Sequence, residues 1–109
     1  MALSGYRLMW MMVLFDLPVM TKKERKAATK FRNFLLDQGF EMSQYSVYLR
    51  ICAGKEQAET YIGRIRKNLP NTGKVHIMTI TDKQYENVVC FDGRKREPDR
   101  QNPEQYLLL

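Results

Sequence analysis

Two rhythms of apolar positions govern the first half of the chain. From Leu8 to Phe15 there is no polar alternation: Leu8, Trp10, Met12 and Leu14 point one way, and Met9, Met11, Val13 and Phe15 the other. A run of this kind predicts a strand covered on both faces. Pro18 stops it, and Thr21 with Glu24 three residues on predicts a capping box that opens a helix from about Thr21 to Gln38. Its core stripe is Ala27, Ala28, Phe31, Phe34 and Leu35, and Gly39 ends it. The period then changes. In Phe40 to Ile51, "FEMSQYSVYLRI", Tyr45, Val47, Leu49 and Ile51 alternate against Ser46, Tyr48 and Arg50, which predicts either one long strand or two short ones bent near Ser43 to Ser46. Ala58, Ile62, Ile65 and Leu69 mark a second helix, closed by the turn residues Pro70, Asn71 and Gly73. Lys74 to Thr81, "KVHIMTIT", predicts another strand, and Val88 to Phe91 a short fifth one.

This order suits an α+β fold, a ferredoxin-like βαββαβ sandwich with one antiparallel sheet, both helices on one face and an extra C-terminal strand. Residues 1–91 form that domain and residues 92–109 a tail. The second sheet face is left without a cover, although the first strand is apolar on both sides. A second copy of the chain is the expected lid, giving a symmetric homodimer. The tail is polar through Gln105, carries Pro98 and Pro103, and then ends in "YLLL". Tyr106, Leu107, Leu108 and Leu109 are expected to dock as a strand on a sheet edge, in the same protomer, its twin or another protein; the alternative is a frayed terminus.

Composition alters the picture in one respect. A length of 109 residues with 44% hydrophobic and 28% charged residues is that of an ordinary single globular domain. The net charge of +6 is less ordinary and favours a polyanionic partner. Between Thr21 and Gln38, Lys22, Lys23, Arg25, Lys26, Lys30 and Arg32 outnumber Glu24 and Asp37 by four; between Lys55 and Leu69, Lys55, Arg64, Arg66 and Lys67 outnumber Glu56 and Glu59 by two. The helices therefore hold the whole excess. They form either solvated faces or, given the cluster of Lys22, Lys23, Arg25, Lys26 and Lys30, a grip on phosphate backbones; no groove-reading motif appears. Tyr45, Tyr48 and Phe91 sit at strand spacing, which suits core or interface better than stacking platforms for single strands.

Candidate chemistry is sparse. Cys52 and Cys90 form no CxxC pair, and His76 has no second His beside it, so neither a zinc site nor a disulfide framework is indicated and a reducing cytosol is expected. The eight-residue apolar run is too short to span a bilayer, so no membrane association is expected. His76, mid-strand, reads as a structural residue. Asp16, which ends the apolar run in "MMVLFDLP", has two readings: it caps the Leu17 to Met20 turn, or it ligates a metal. One carboxylate makes a poor Mg²⁺ site, whereas two copies of Asp16 meeting near a two-fold axis would supply two carboxylates to one cation.

The strand ending "FDLP", the helix closing in "FLLDQGF", "QYSVY" from Gln44 to Tyr48 and "MTITDKQ" from Met78 to Gln84 stand in order from Leu8 to Phe91. Together they resemble the small CRISPR-associated protein of spacer acquisition, the endoribonuclease-type partner of the CRISPR integrase. The basic N-terminal helix is most similar to versions found beside single-effector, type II systems. The resemblance implies a ferredoxin-like homodimer in the prokaryotic cytoplasm, with Asp16 as the catalytic ligand of Mg²⁺ or another divalent cation. It implies a dimer that bridges integrase dimers and holds double-stranded prespacer DNA. It also implies a possible metal-dependent endonuclease acting on single-stranded RNA or on DNA, an activity not needed for acquisition. Met42 stands where certain nuclease-active relatives carry a basic residue, a departure that bears on RNA cleavage, while Tyr48 keeps the neighbouring aromatic. The alternative function is that of a toxin-like, metal-dependent mRNA endoribonuclease of the same fold.

Overall fold

A computed structural model describes residues 8–93. Strand β1 (Met9–Asp16) is followed by helix α1 (Lys22–Asp37), strands β2 (Glu41–Gln44) and β3 (Val47–Cys52), helix α2 (Lys55–Arg66), strand β4 (Lys74–Thr81) and a single helical turn, α3 (Asp82–Tyr85). The sheet order is β2-β3-β1-β4 with every pair antiparallel. That is the ferredoxin-like arrangement the element order predicts, with β1 in a central position.

Local chemistry fixes the ends of α1. Thr21 Oγ1 accepts from the Glu24 amide at 3.0 Å, while Glu24 Oε1 accepts from the Thr21 and Met20 amides, both at 2.9 Å. At the other end Gly39 takes φ +89°; its amide donates to Leu36 O and that of Phe40 to Leu35 O, so orphan carbonyls of the last turn are satisfied. Between β2 and β3 the two-residue turn Tyr45–Ser46 resolves the open alternative in favour of two strands, with Ser43 bulged where the register shifts.

Cross-strand pairing assigns the two sheet faces. Met11 lies opposite Arg50, and Val13 opposite Tyr48 and Ile77, so these side chains share the helix-covered face. There Met11, Val13, Phe15, Tyr48 and Cys52 pack against Phe31 and Leu35 of α1 and Ala58 and Ile65 of α2 in one core. Phe31 meets Phe15 edge-on at 5.3 Å. The guanidinium of Arg50, on this face, donates to Gln38 O at 3.0 Å and lies 4.3 Å from the Tyr61 ring. The opposite face carries Trp10, Met12 and Leu14 of β1, Leu49 and Ile51 of β3, and Met78 of β4. Among the described residues no helix longer than α3 lies over it: Ile51 and Met78 are exposed, and only the Trp10 end is capped, by Tyr85 stacked at 4.2 Å and Asp82 Oδ1 accepting from Trp10 Nε1 at 2.8 Å.

Several expectations are corrected. The alternation left the face of β3 unassigned, and the register puts Tyr48 and Cys52 on the helix-covered face and Val47 and Ile51 on the other. Ala27 is exposed, on the shoulder of the α1 stripe, and Leu69 lies exposed beyond the end of α2. β1 is enclosed on one face and only half-buried on the other. No strand forms over Val88 to Phe91: the chain leaves α3 as irregular backbone, with Val89 and Phe91 exposed. β-branched composition favours a strand there, but a strand also needs a ladder partner, and among the described residues β4 pairs only with β1. The expected docking strand Tyr106 to Leu109 lies outside the described residues.

Candidate functional site

Asp16 ends β1 with the parity of Met12 and Leu14, so its side chain belongs to the uncovered face. It is exposed and sits opposite Lys74 in the β1–β4 register. The turn after it is held by other groups: Glu24 takes the Met20 and Thr21 amides, and Arg25 Nη1 donates to Val19 O and Met20 O at 3.1 Å each. The turn-capping reading of Asp16 therefore falls away, because its carboxylate accepts no hydrogen bond from the described residues. A charged group with no structural partner, at the mouth of a groove, is available for a ligand.

The groove, about 400 Å³ in volume, is bounded by Leu14, Phe15 and Asp16 of β1, Tyr45 to Val47 of the β2–β3 hairpin, and Lys74 and His76 of β4. Two backbone details build it. The Phe15 amide donates to Ser46 O at 3.1 Å, which ties the hairpin tip to β1 beside Asp16. On the other side Gly73, at φ +89°, brings the start of β4 so close that a Cβ there would lie 2.7 Å from Asp16 O and 3.0 Å from Leu17 Cα. Gly73→Ala meets both a left-handed backbone and a main-chain collision, so it is expected to cost about 2–3 kcal/mol. The check is a lowered denaturant midpoint at unchanged m; an unaltered midpoint would show that the approach is not tight.

The basic residues fall mostly together. Lys22, Arg25, Lys26 and Lys30 form one stripe with Thr29 and Asn33 on the outer face of α1, opposite buried Ala28, Phe31 and Leu35, and Lys23 flanks it. Arg25 is partly committed to the loop carbonyls it holds. Tyr48 is 2% exposed and stacked on Phe15, so it is core and no platform for a base. Met42 is 59% exposed. Cys52 is buried; burial raises the pKa of its thiol against a lowering influence from Arg50, which keeps it protonated and unsuited to nucleophilic work. Of the polar and aromatic side chains that line the groove with Asp16, sequence reasoning set Tyr45 and His76 aside as interface and structural residues and did not single out Lys74. The signal lay in strand parity, since Lys74 and His76 fall on the Asp16 face once the register is known.

Whether the residues present suit a divalent cation can be judged from donor type. Among the described residues no group of three or more His, Cys, Asp or Glu side chains comes together. A single chain thus offers one free carboxylate in the groove, and a two-fold pair would offer two, which suits a hydrated Mg²⁺ that keeps most of its waters. No helix of the described residues is long and apolar enough to cross a membrane.

Residues 9–88 match the family model described as CRISPR associated protein Cas2. A relative from Paracidovorax avenae named CRISPR-associated endoribonuclease Cas2 is 59% identical over 107 residues, spanning 98% of this chain and 99% of its own. Proteins with that name from Flavobacterium psychrophilum (50% identical; 98% and 92% covered) and Parvibaculum lavamentivorans (46% identical; 93% and 100% covered) are similar over nearly the same length.

Proposed function

The chain belongs to the CRISPR-associated Cas2 family, and from that premise we propose that it is a subunit of CRISPR adaptation that works as a symmetric dimer. Two copies close over the uncovered sheet face, bridge dimers of the CRISPR integrase, and hold duplex prespacer DNA against the cationic outer faces of their helices. The observation that carries this reading is the sheet face itself: an apolar surface around Met12, Ile51 and Met78, two of them exposed, that ends in an unpaired carboxylate. An isolated domain gains nothing from exposing it, and a self-complementary patch is what a two-fold interface requires.

Within that dimer the two copies of Asp16 hold a divalent cation, and the site hydrolyses phosphodiesters of RNA or DNA. The relatives' name, endoribonuclease, supports the nuclease assignment. When bound, the cation neutralises charge on a phosphoryl oxygen and activates water. The protein's own part is to present the two carboxylates, to keep Lys74 beside them as a cation for the phosphate, and to fix the groove walls through Gly73 and the Phe15–Ser46 bond. The protein acts in the cytoplasm of a prokaryote, where invading DNA and the integrase meet.

Neutralising Lys22, Lys23 and Lys26 to Gln tests the duplex grip. Each lost phosphate contact should lower the salt slope of binding by about 0.9, so three should flatten it by up to about 2.7 per chain, for every duplex sequence alike. Spacer uptake should fall with it. Unchanged affinity and slope in fluorescence anisotropy would remove the α1 stripe from the DNA-binding surface.

A further inference from the structure

The loop from Leu17 to Met20 is held by more bonds than a simple connection needs. Leu17 packs against the core, the Met20 amide donates to Glu24 Oε1 at 2.9 Å, and the Val19 and Met20 carbonyls both accept from Arg25 Nη1 at 3.1 Å. Pro18 fixes one further backbone angle. What this bracing presents to solvent is apolar: Val19 is 44% exposed and Met20 84%. A lone exposed methionine is ordinary on any protein surface. Its setting here is not.

Lys22, Lys23, Arg25 and Lys26 follow directly, all exposed, and the one acid among them, Glu24, is occupied with the Met20 and Thr21 amides. Arg25 belongs to the outer stripe of α1, so the tip that it holds lies on the helix side of the molecule. The sheet face that the proposed dimer closes is on the other side, and the tip stays open in it. An apolar tip among cations suits either an anionic bilayer or a duplex. A bilayer takes a helix with an apolar face, whereas the outer face of α1 runs on through Thr29, Lys30 and Asn33 and is polar throughout. A duplex takes a row of cations. Lys22, Lys26 and Lys30 spread over about 12 Å along the helix, at 1.5 Å per residue, against one phosphate per about 3.4 Å of each strand.

We infer that Met20, with Val19 beside it, is the uncharged part of the duplex grip: Lys22, Arg25 and Lys26 take phosphates, and Met20 lies against the deoxyribose rim between them. The contact removes from water an apolar surface that the free protein exposes, and the braced loop loses little freedom in making it. The inference rests on the reading of α1 as the duplex-binding surface and adds a contact of a different physical kind. Phosphate contacts release counterions and weaken steeply as salt rises; apolar burial releases none.

That difference is the test. Fluorescein-labelled duplex DNA is titrated with the full-length protein over a series of KCl concentrations and followed by anisotropy. Met20→Gln keeps length and neutrality but not apolarity. It should weaken duplex binding by roughly 3- to 10-fold at every salt concentration, a fraction of the worth of one buried methionine, and leave the slope of log K against log salt as in the parent protein. Met20→Leu should bind as the parent does. Lys22→Gln should give the opposite signature, a slope lower by about 0.9 per chain. The thermal midpoint of Met20→Gln should match the parent, because the side chain packs against none of the core. The inference is overturned if Met20→Gln binds duplex as the parent does, or if its slope falls together with its affinity. It is also overturned if the substitution spares duplex binding and instead weakens co-sedimentation with phosphatidylserine vesicles, which would make the tip a membrane contact. Failure of the parent protein to bind duplex would remove the α1 reading and this one together, whereas a normal Lys22→Gln slope change with an unaltered Met20→Gln removes this one alone.

Discussion

The Asp16→Asn protein is expected to fold, dimerise and bind duplex DNA as the parent does, while losing phosphodiester cleavage by about 100-fold or more. The fold is insulated from the change because the Asp16 side chain is exposed and bonds to none of the described residues; the turn behind it hangs on Glu24 and Arg25 instead. Asn keeps the shape and discards the charge. A neutral amide is a far poorer ligand for a hard divalent cation than a carboxylate, and in the proposed dimer a single substitution would remove both carboxylates. The loss should be felt on the scale of deleting a main transition-state contact, about 10²- to 10³-fold. The measurements are single-turnover cleavage of labelled RNA and DNA in Mg²⁺, calorimetric titration of the metal, and spacer uptake in cells. Cleavage at the parental rate would take the metal site away from Asp16. Loss of uptake along with cleavage would mean that acquisition needs the chemistry, against the scaffold reading.

How much of this was legible beforehand depends on which physical signals are local. Capping is local, so Thr21 and Glu24 announced α1, and its end was written in Gly39. The fully apolar run announced β1 as a strand, though not its half-buried second face, and the carboxylate that broke it lies in the groove. α3 was overlooked although it carries the same signature: Thr81 Oγ1 accepts from the Gln84 amide at 3.0 Å and Gln84 Oε1 from the Thr81 amide at 2.9 Å. A single helical turn has no apolar period to draw attention to it, and here it follows directly on a β-branched strand.

What the sequence withheld is non-local. Whether Val88 to Phe91 forms a strand depends on an edge to pair with, and side-chain composition carries no information about edges. Tyr45 was counted in alternation with Val47, but the turn and the Ser43 bulge place it at a hairpin tip and put Tyr48 inside. His76 is exposed rather than structural, because β4 lies at the sheet edge and turns that residue to the uncovered face. One register shift along β4 would have put Ile77 there instead. Asp16, Lys74 and His76 become neighbours only through the β1–β4 pairing, which joins positions some sixty residues apart.

The strongest consequence of the proposed dimer concerns Met12. It lies opposite Leu49 on one side and Met78 on the other, in the middle of the uncovered face, and is half-buried in the single chain. Met12→Asp should therefore leave a folded monomer, since a carboxylate there still reaches water, and its circular dichroism should match the parent protein. Closing two such faces would bury two like charges without partners. Each costs several kcal/mol to desolvate, and symmetry imposes the penalty twice. Even about 5–6 kcal/mol in total weakens dimerisation by roughly 10⁴-fold, because every 1.4 kcal/mol is a factor of ten. Sedimentation equilibrium should then find monomer at concentrations where the parent protein is dimeric. Cleavage and spacer uptake should both vanish, since a lone chain presents one carboxylate and half a bridge. Met12→Leu, which keeps the surface apolar, should restore all three. A Met12→Asp protein that still sediments as a dimer would place the two-fold contact on another surface, and with it the meeting point of the two Asp16 side chains.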